Sequence, residues 1–129
     1  MREDIDIITA AISGDKRAVL KDQLERLDRE IIDRLAINIT ARQSIHELIS
    51  DVRRDILEHE PPHEGAPDDL NIRRDRMMLK REFRTLVKDL LIEQRSCWND
   101  TQVLKAEVRN VERDLLVLKQ RDRRLTEFT

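Results

Sequence analysis

Four polar side chains break stripes that are otherwise apolar at helical spacing. Arg34 and Asn38 do so in the first half of the chain, and Glu93 and Gln94 in the second, with Thr101 nearby. Polar groups taken out of water cost free energy unless they find partners. A guanidinium and an amide facing a carboxylate and a second amide satisfy one another. Such a layer has two uses. It sets the register of packed helices, as a buried asparagine does in coiled coils, or it lines a polar pocket in which Arg34 holds an anion. Register-setting is the favoured expectation.

A second cluster is cationic. Arg73, Arg74, Arg76, Lys80, Arg81 and Arg84 form the densest basic run in the chain. Phosphate contact is one use of such a run. Asp75 and Glu82 interleave with it, and aromatics make up only 2% of the chain, so base stacking has little to work with. A solvated or ion-paired helix face, or an acidic partner such as the segment from Glu58 to Glu64, fits the pattern better. Cations at the start of a helix oppose its dipole, which favours an acidic neighbour.

Other chemistry is weakly represented. His59 and His63 sit among Glu58, Glu60 and Glu64, but Pro61 and Pro62 break the helix that would align the imidazoles, so no metal is expected. Two glycines cannot build a phosphate-cradling loop. No serine–histidine–acid set stands out, and no cofactor is expected. Cys97 lies on an apolar series and reads as a small buried hydrophobe. Trp98 sits one position off that series and is a candidate interface residue, where tryptophan is enriched.

The elements that would position these groups are long helices. Three prolines and one glycine fall in the window 61–67, which cannot lie inside a helix. Asp68 or Asp69 can cap the helix that follows. Gly14 marks a weaker break. The expected division is a helix at 3–12, a helix at 15–59, a Pro-rich turn at 60–68, and a helix at 68–127 that either runs on or breaks near 96–100, where helix propensity falls. In the last segment, steps of seven from Phe83 meet Leu90, Cys97, Leu104, Val111, Leu118 and Leu125. The companion series is Val87, Gln94, Thr101, Val108, Leu115 and Asp122. The second segment carries Leu20, Leu27, Arg34, Ala41, Leu48 and Leu24, Ile31, Asn38, Ile45, Val52. Such repeats describe helices packed along their length.

The predicted fold is therefore all-α: a single domain built as a long antiparallel, coiled-coil-like helical hairpin with a short N-terminal helix. Taking residue 64 as the turn centre places residues near 34 opposite residues near 94. Further apolar residues, including Ile32, Leu35 and Ile39, widen the stripe beyond one neighbour. Leu91, Leu116 and Val117 do the same on the last helix. A surplus of that kind predicts self-association, most simply a homodimer completing a helical bundle.

Composition agrees. Of 129 residues, 40% are charged and 39% hydrophobic, with a net charge of −2. Residues 1–66 hold 10 basic and 15 acidic side chains, and residues 67–129 hold 15 and 12, so the halves differ in sign and favour docking. One cysteine excludes an intrachain disulfide framework, the N-terminus is too acidic for a signal peptide, and no membrane span is expected. A cytoplasmic location follows as the expectation.

The stretch from Leu20 to Leu35 resembles the first helix of the all-helical chorismate mutases, through its leucine, isoleucine and aspartate spacing. The resemblance implies an intertwined helical dimer with an arginine-rich buried site. It covers about 25 residues and departs at the clamp. The family's two substrate-binding arginines fall on Lys21 and Asn38, and its lysine falls near Ile49. A dicarboxylate would lose its cationic grip at those positions. The favoured function is thus a non-enzymatic interaction, scaffold or adaptor protein with a further protein partner. Nucleic-acid association through 73–84 is the alternative, and a degenerate mutase-like dimer the third.

Overall fold

The computed structural model describes residues 2–60 and 70–127, with side chains described over 14–60 and 70–126. Two helices, α1 (Arg2–Glu58) and α2 (Leu70–Glu127), pack against each other as a hairpin, with no strand among the described residues. Neither helix contains a proline. The expected turn beyond Glu60, the caps Asp68 and Asp69, and the side chains of the expected short N-terminal helix lie outside the described residues.

The expected break at Gly14 is absent, and of the two alternatives for 96–100 the helix runs on. The predicted helices at 3–12 and 15–59 are one element, since α1 runs through Gly14. A glycine in a helix interior costs about 1 kcal/mol relative to alanine, too little to stop a helix whose flanking residues continue it. Gly14 also keeps open space where a side chain would stand, so nothing nearby forces a bend. α2 likewise runs unbroken through 96–100. Cys97 and Thr101, one turn apart, are both buried there, and burial outweighs the low propensity of the intervening residues.

By internal packing the chain divides into a terminal unit, residues 1–34 with 99–129, and a central unit, residues 35–98. In the terminal unit, Leu20, Leu24, Leu27 and Ile31 line the inner side of α1, and Leu104, Val108, Val111, Leu115 and Leu118 that of α2. The spacing alternates between three and four, as a helix facing one partner requires. Leu27 and Leu118, 2% and 7% exposed, are its best buried apolar residues. Arg17 pairs with Asp122, and Arg34 with Asp100, across the two helical segments.

In the central unit the seam follows Asn38, Ile45, Ile49, Val52 and Ile56 on α1, with Ala41 and Arg42 half-buried. On α2 it follows Arg76, Leu79, Phe83, Leu86 with Val87, Leu90, Glu93 and Cys97. The strict seven-residue series fails here. Leu48 is 50% exposed, and Ile49 is buried in its place. A straight helix drifts about 20° per seven residues, and the step of four from Ile45 to Ile49 brings the stripe back to the seam. Leu125, the last member of the α2 series, is also exposed at 42%.

Candidate functional site

The four residues expected to form one polar layer do not meet as one: Arg34 pairs with Asp100 in the terminal unit, Asn38 pairs with Glu93 in the central unit, and Gln94 stands apart. In the terminal unit the Arg34 Nε–H donates to Asp100 Oδ2 at 2.8 Å. The Arg34 side chain is only 16% exposed, whereas that of Asp100 is 54% exposed. In the central unit the Asn38 amide donates to Glu93 Oε1 at 3.2 Å. Asn38 is buried and Glu93 half-buried. Gln94 does not join them, because it is exposed one position off the seam. Thr101 is the other buried polar residue, in the terminal unit.

Register explains the difference. Arg34 meets Asp100 rather than the neighbourhood of residue 94, because the helices pair about a point later in the chain than residue 64. The carboxylate that serves Arg34 was thus missed at sequence level. It lies next to Thr101, one residue before a seam position. The Arg34–Asp100 pair has one well-exposed partner, so it contributes at most about 1 kcal/mol. The Asn38–Glu93 pair is more deeply placed and more specific, since an apolar replacement of one partner strands the other.

The central unit also holds cations, on or beside the seam, that the sequence did not single out. Arg53 lies over the Phe83 ring, 5.8 Å from its centroid. Arg42 is half-buried, and its Nε finds no hydrogen-bond partner. In the terminal unit, Arg17, Lys21 and Lys119 border an open groove of about 300 Å³ floored by Leu115, with Arg17 engaged by Asp122. A larger open groove of about 520 Å³ in the same unit has Val19, Leu20, Val117 and Leu118 as its apolar lining and Asp15, Lys16, Asp114 and Arg121 at its edges. Both are shallow helix-pair furrows. Neither presents a nucleophile beside a base, the arrangement that nucleophilic catalysis needs.

The basic run is spread over the solvent side of α2. Arg73, Arg74, Lys80, Arg81 and Arg84 are exposed. Arg76 is half-buried, and its Nε–H donates to the His59 carbonyl oxygen at 3.3 Å, tying the start of α2 to the end of α1. Cys97 is a free, buried thiol. Among the described residues, no group of three or more His, Cys, Asp or Glu side chains is placed to hold a metal ion, and no helix is long and apolar enough to cross a membrane.

Trp98 is 63% exposed. It directly follows Cys97 on the seam of α2, as Leu91 directly follows Leu90. On α1, Ile39 directly follows Asn38, and Leu35 lies one turn before Ile39. In an antiparallel helix pair, residues that follow the seam on one helix lie on the same side of the pair as residues that follow it on the other. Leu35, Ile39, Leu91 and Trp98 therefore share one side of the central unit. Leu35, Ile39 and Leu91 are exposed at 45%, 49% and 59%.

No protein family, curated protein or solved structure matches this chain. The likeness of residues 20–35 to the helical mutases rests on those residues alone. At the three clamp positions, Lys21 borders the cationic groove, Asn38 spends its amide on Glu93, and Ile49 is a core residue.

Proposed function

We propose that this protein is a non-enzymatic interaction or scaffold protein, a helical hairpin that self-associates and offers helical surface to other proteins. A dimer is the smallest assembly that covers one such surface. The observation that carries this reading is the exposed apolar side of the central unit, Leu35, Ile39, Leu91 and Trp98. These side chains lie outside the seam, and each keeps about half or more of its surface in water. Contiguous apolar surface of this kind marks a partner site, and tryptophan is among the residue types that most often dominate such contacts. The single free, buried cysteine fits a cytoplasmic setting.

Nucleic-acid association is the second reading, favoured by the exposure of Arg74, Lys80, Arg81 and Arg84. The apolar side would have no role in contacting a phosphate backbone, which places that reading second.

Light scattering on the purified chain tests the proposal. The wild-type mass exceeds that of one 15.3 kDa chain at micromolar concentration. L91A/W98A weakens the association about tenfold or more while helicity is kept, as expected for truncating an aromatic anchor together with an aliphatic neighbour. A fully helical wild type that stays a single chain at every concentration contradicts it.

A further inference from the structure

We propose that the central unit is two-sided, and that its cationic side docks on the acidic side of a second copy, so that copies stack heterologously instead of closing as a two-fold dimer. This inference rests on the self-association proposed above and names the surfaces that meet.

The two sides are defined by the seam. From Asn38 to Ile56 on α1, and from Arg76 to Cys97 on α2, each seam residue has one neighbour before it and one after it. No aspartate or glutamate directly follows a seam residue, and no lysine or arginine directly precedes one. The following side carries Arg53, Lys80, Arg84 and Lys88. The preceding side carries Asp51, Asp55, Asp75, Glu82 and Asp89. All of these are exposed. Asp51 is held by Arg54 at 3.1 Å, which leaves the others to set the charge of that side. Arg54, Arg74 and Arg81, with Glu47, neither directly follow nor directly precede a seam residue and belong to neither side; Arg95, two residues from both Glu93 and Cys97 and next to half-buried Ser96, is likewise assigned to neither.

Each side also has its own apolar set. The cationic side has Leu35, Ile39, Leu57, Met77, Leu91 and Trp98, all exposed. The acidic side has Ile37, Leu48, Met78 and Ile92, exposed at 61%, 50%, 62% and 56%. Apolar groups facing apolar groups, with rows of opposite charge around them, make the two sides complementary. A two-fold contact of the cationic side with itself would instead set Lys80, Arg84 and Lys88 against a surface that carries no acid. Like charges brought together in this way oppose association.

A second copy covers both sides. A polyanion would use the cations and leave the acidic side and both apolar sets in water. The second copy is therefore the occupant the surface favours. A heterologous contact repeats unless its rotation happens to close. Its charged part weakens as salt shortens the screening length, about 10 Å at 0.1 M.

Sedimentation of the full chain and two triple variants tests this. K80E/R84E/K88E makes both sides acidic, and D55K/E82K/D89K makes both sides basic. Every changed residue is exposed and off the seam, and circular dichroism checks that helicity is kept. The wild-type average mass is expected to rise with concentration past two copies and to fall as salt is added. Each variant alone is expected to sediment as a single chain, with association weakened about tenfold or more. An equimolar mixture of the two is expected to associate again. A mixture no heavier than its components overturns the inference. So does a wild type that levels off at two copies and is indifferent to both variants, although self-association would then stand. A single chain under all conditions removes both. A wild-type single chain that shifts a labelled DNA duplex, with the shift lost in K80E/R84E/K88E, assigns the cationic side to a polyanion instead.

Discussion

Leu27→Ala lowers the stability of the terminal unit by about 2–3 kcal/mol, the low end of what large-to-small core changes cost. Leu27 is the best buried side chain there, at 2% exposure. Its neighbours across the seam include Val111, and the two border an open furrow with Gln23, Arg26, Glu107 and Asn110. A two-helix seam relaxes around a deletion more readily than a deep core does, which holds the effect at the lower end. Against a typical total stability of about 5–15 kcal/mol the loss is still large. Urea denaturation followed by far-ultraviolet circular dichroism reads it as a lower midpoint with an unchanged slope. Ile32→Ala is the control: Ile32 is 64% exposed, and its truncation is expected to change stability by less than about 0.5 kcal/mol. Equal effects at the two positions would mean that the seam does not run through Leu27.

The second large effect concerns Asn38 and Glu93 in the central unit. Asn38→Leu removes the amide hydrogen bond at a buried position and leaves the Glu93 carboxylate one donor short. The expected loss is about 1–3 kcal/mol. N38L/E93L replaces both partners by apolar groups. It is expected to be at least as stable as the wild type, by up to a few kcal/mol, because a well-packed apolar pair avoids the desolvation that a polar pair must offset. Urea denaturation of the wild type, both single variants and the double variant completes the cycle. A coupling near zero would show that the two side chains do not depend on each other. A double variant less stable than the wild type would show that the pair contributes net stability, not only register.

Much of the fold was legible in the sequence, for physical reasons that particular residues make clear. The proline cluster at 61–67 cannot be helical, and the spacing of Leu20, Leu24, Leu27 and Ile31 against Val108, Val111, Leu115 and Leu118 implies two helices facing each other. What misled was the assumption of strict regularity. A seven-residue count places Leu48 in the core, but helical drift puts Ile49 there instead. The same count leads to Gln94, although the seam passes through Glu93 and Cys97. Gly14 reads as a stop, yet a helix with good neighbours on both sides tolerates one glycine. Register cannot be derived from a turn whose geometry is unknown, so Asp100 was not recognised as the partner of Arg34. The charge sorting on the central unit was hidden for the same reason. Lys80, Arg84, Glu82 and Asp89 look interleaved along the chain, and they separate only when each is placed before or after a seam whose course follows burial.

Trp98 offers the most direct test of the central claim, that an exposed apolar side of this hairpin is covered by another chain. It is the single tryptophan of the protein, so its fluorescence reports on one position alone. In an isolated chain it is largely solvated, at 63% exposure. Emission spectra of the wild type taken across a wide concentration range are expected to shift to shorter wavelength as the chains associate and Trp98 leaves water. Emission that stays at the wavelength of a solvated indole at every concentration, with helicity intact, would contradict the account.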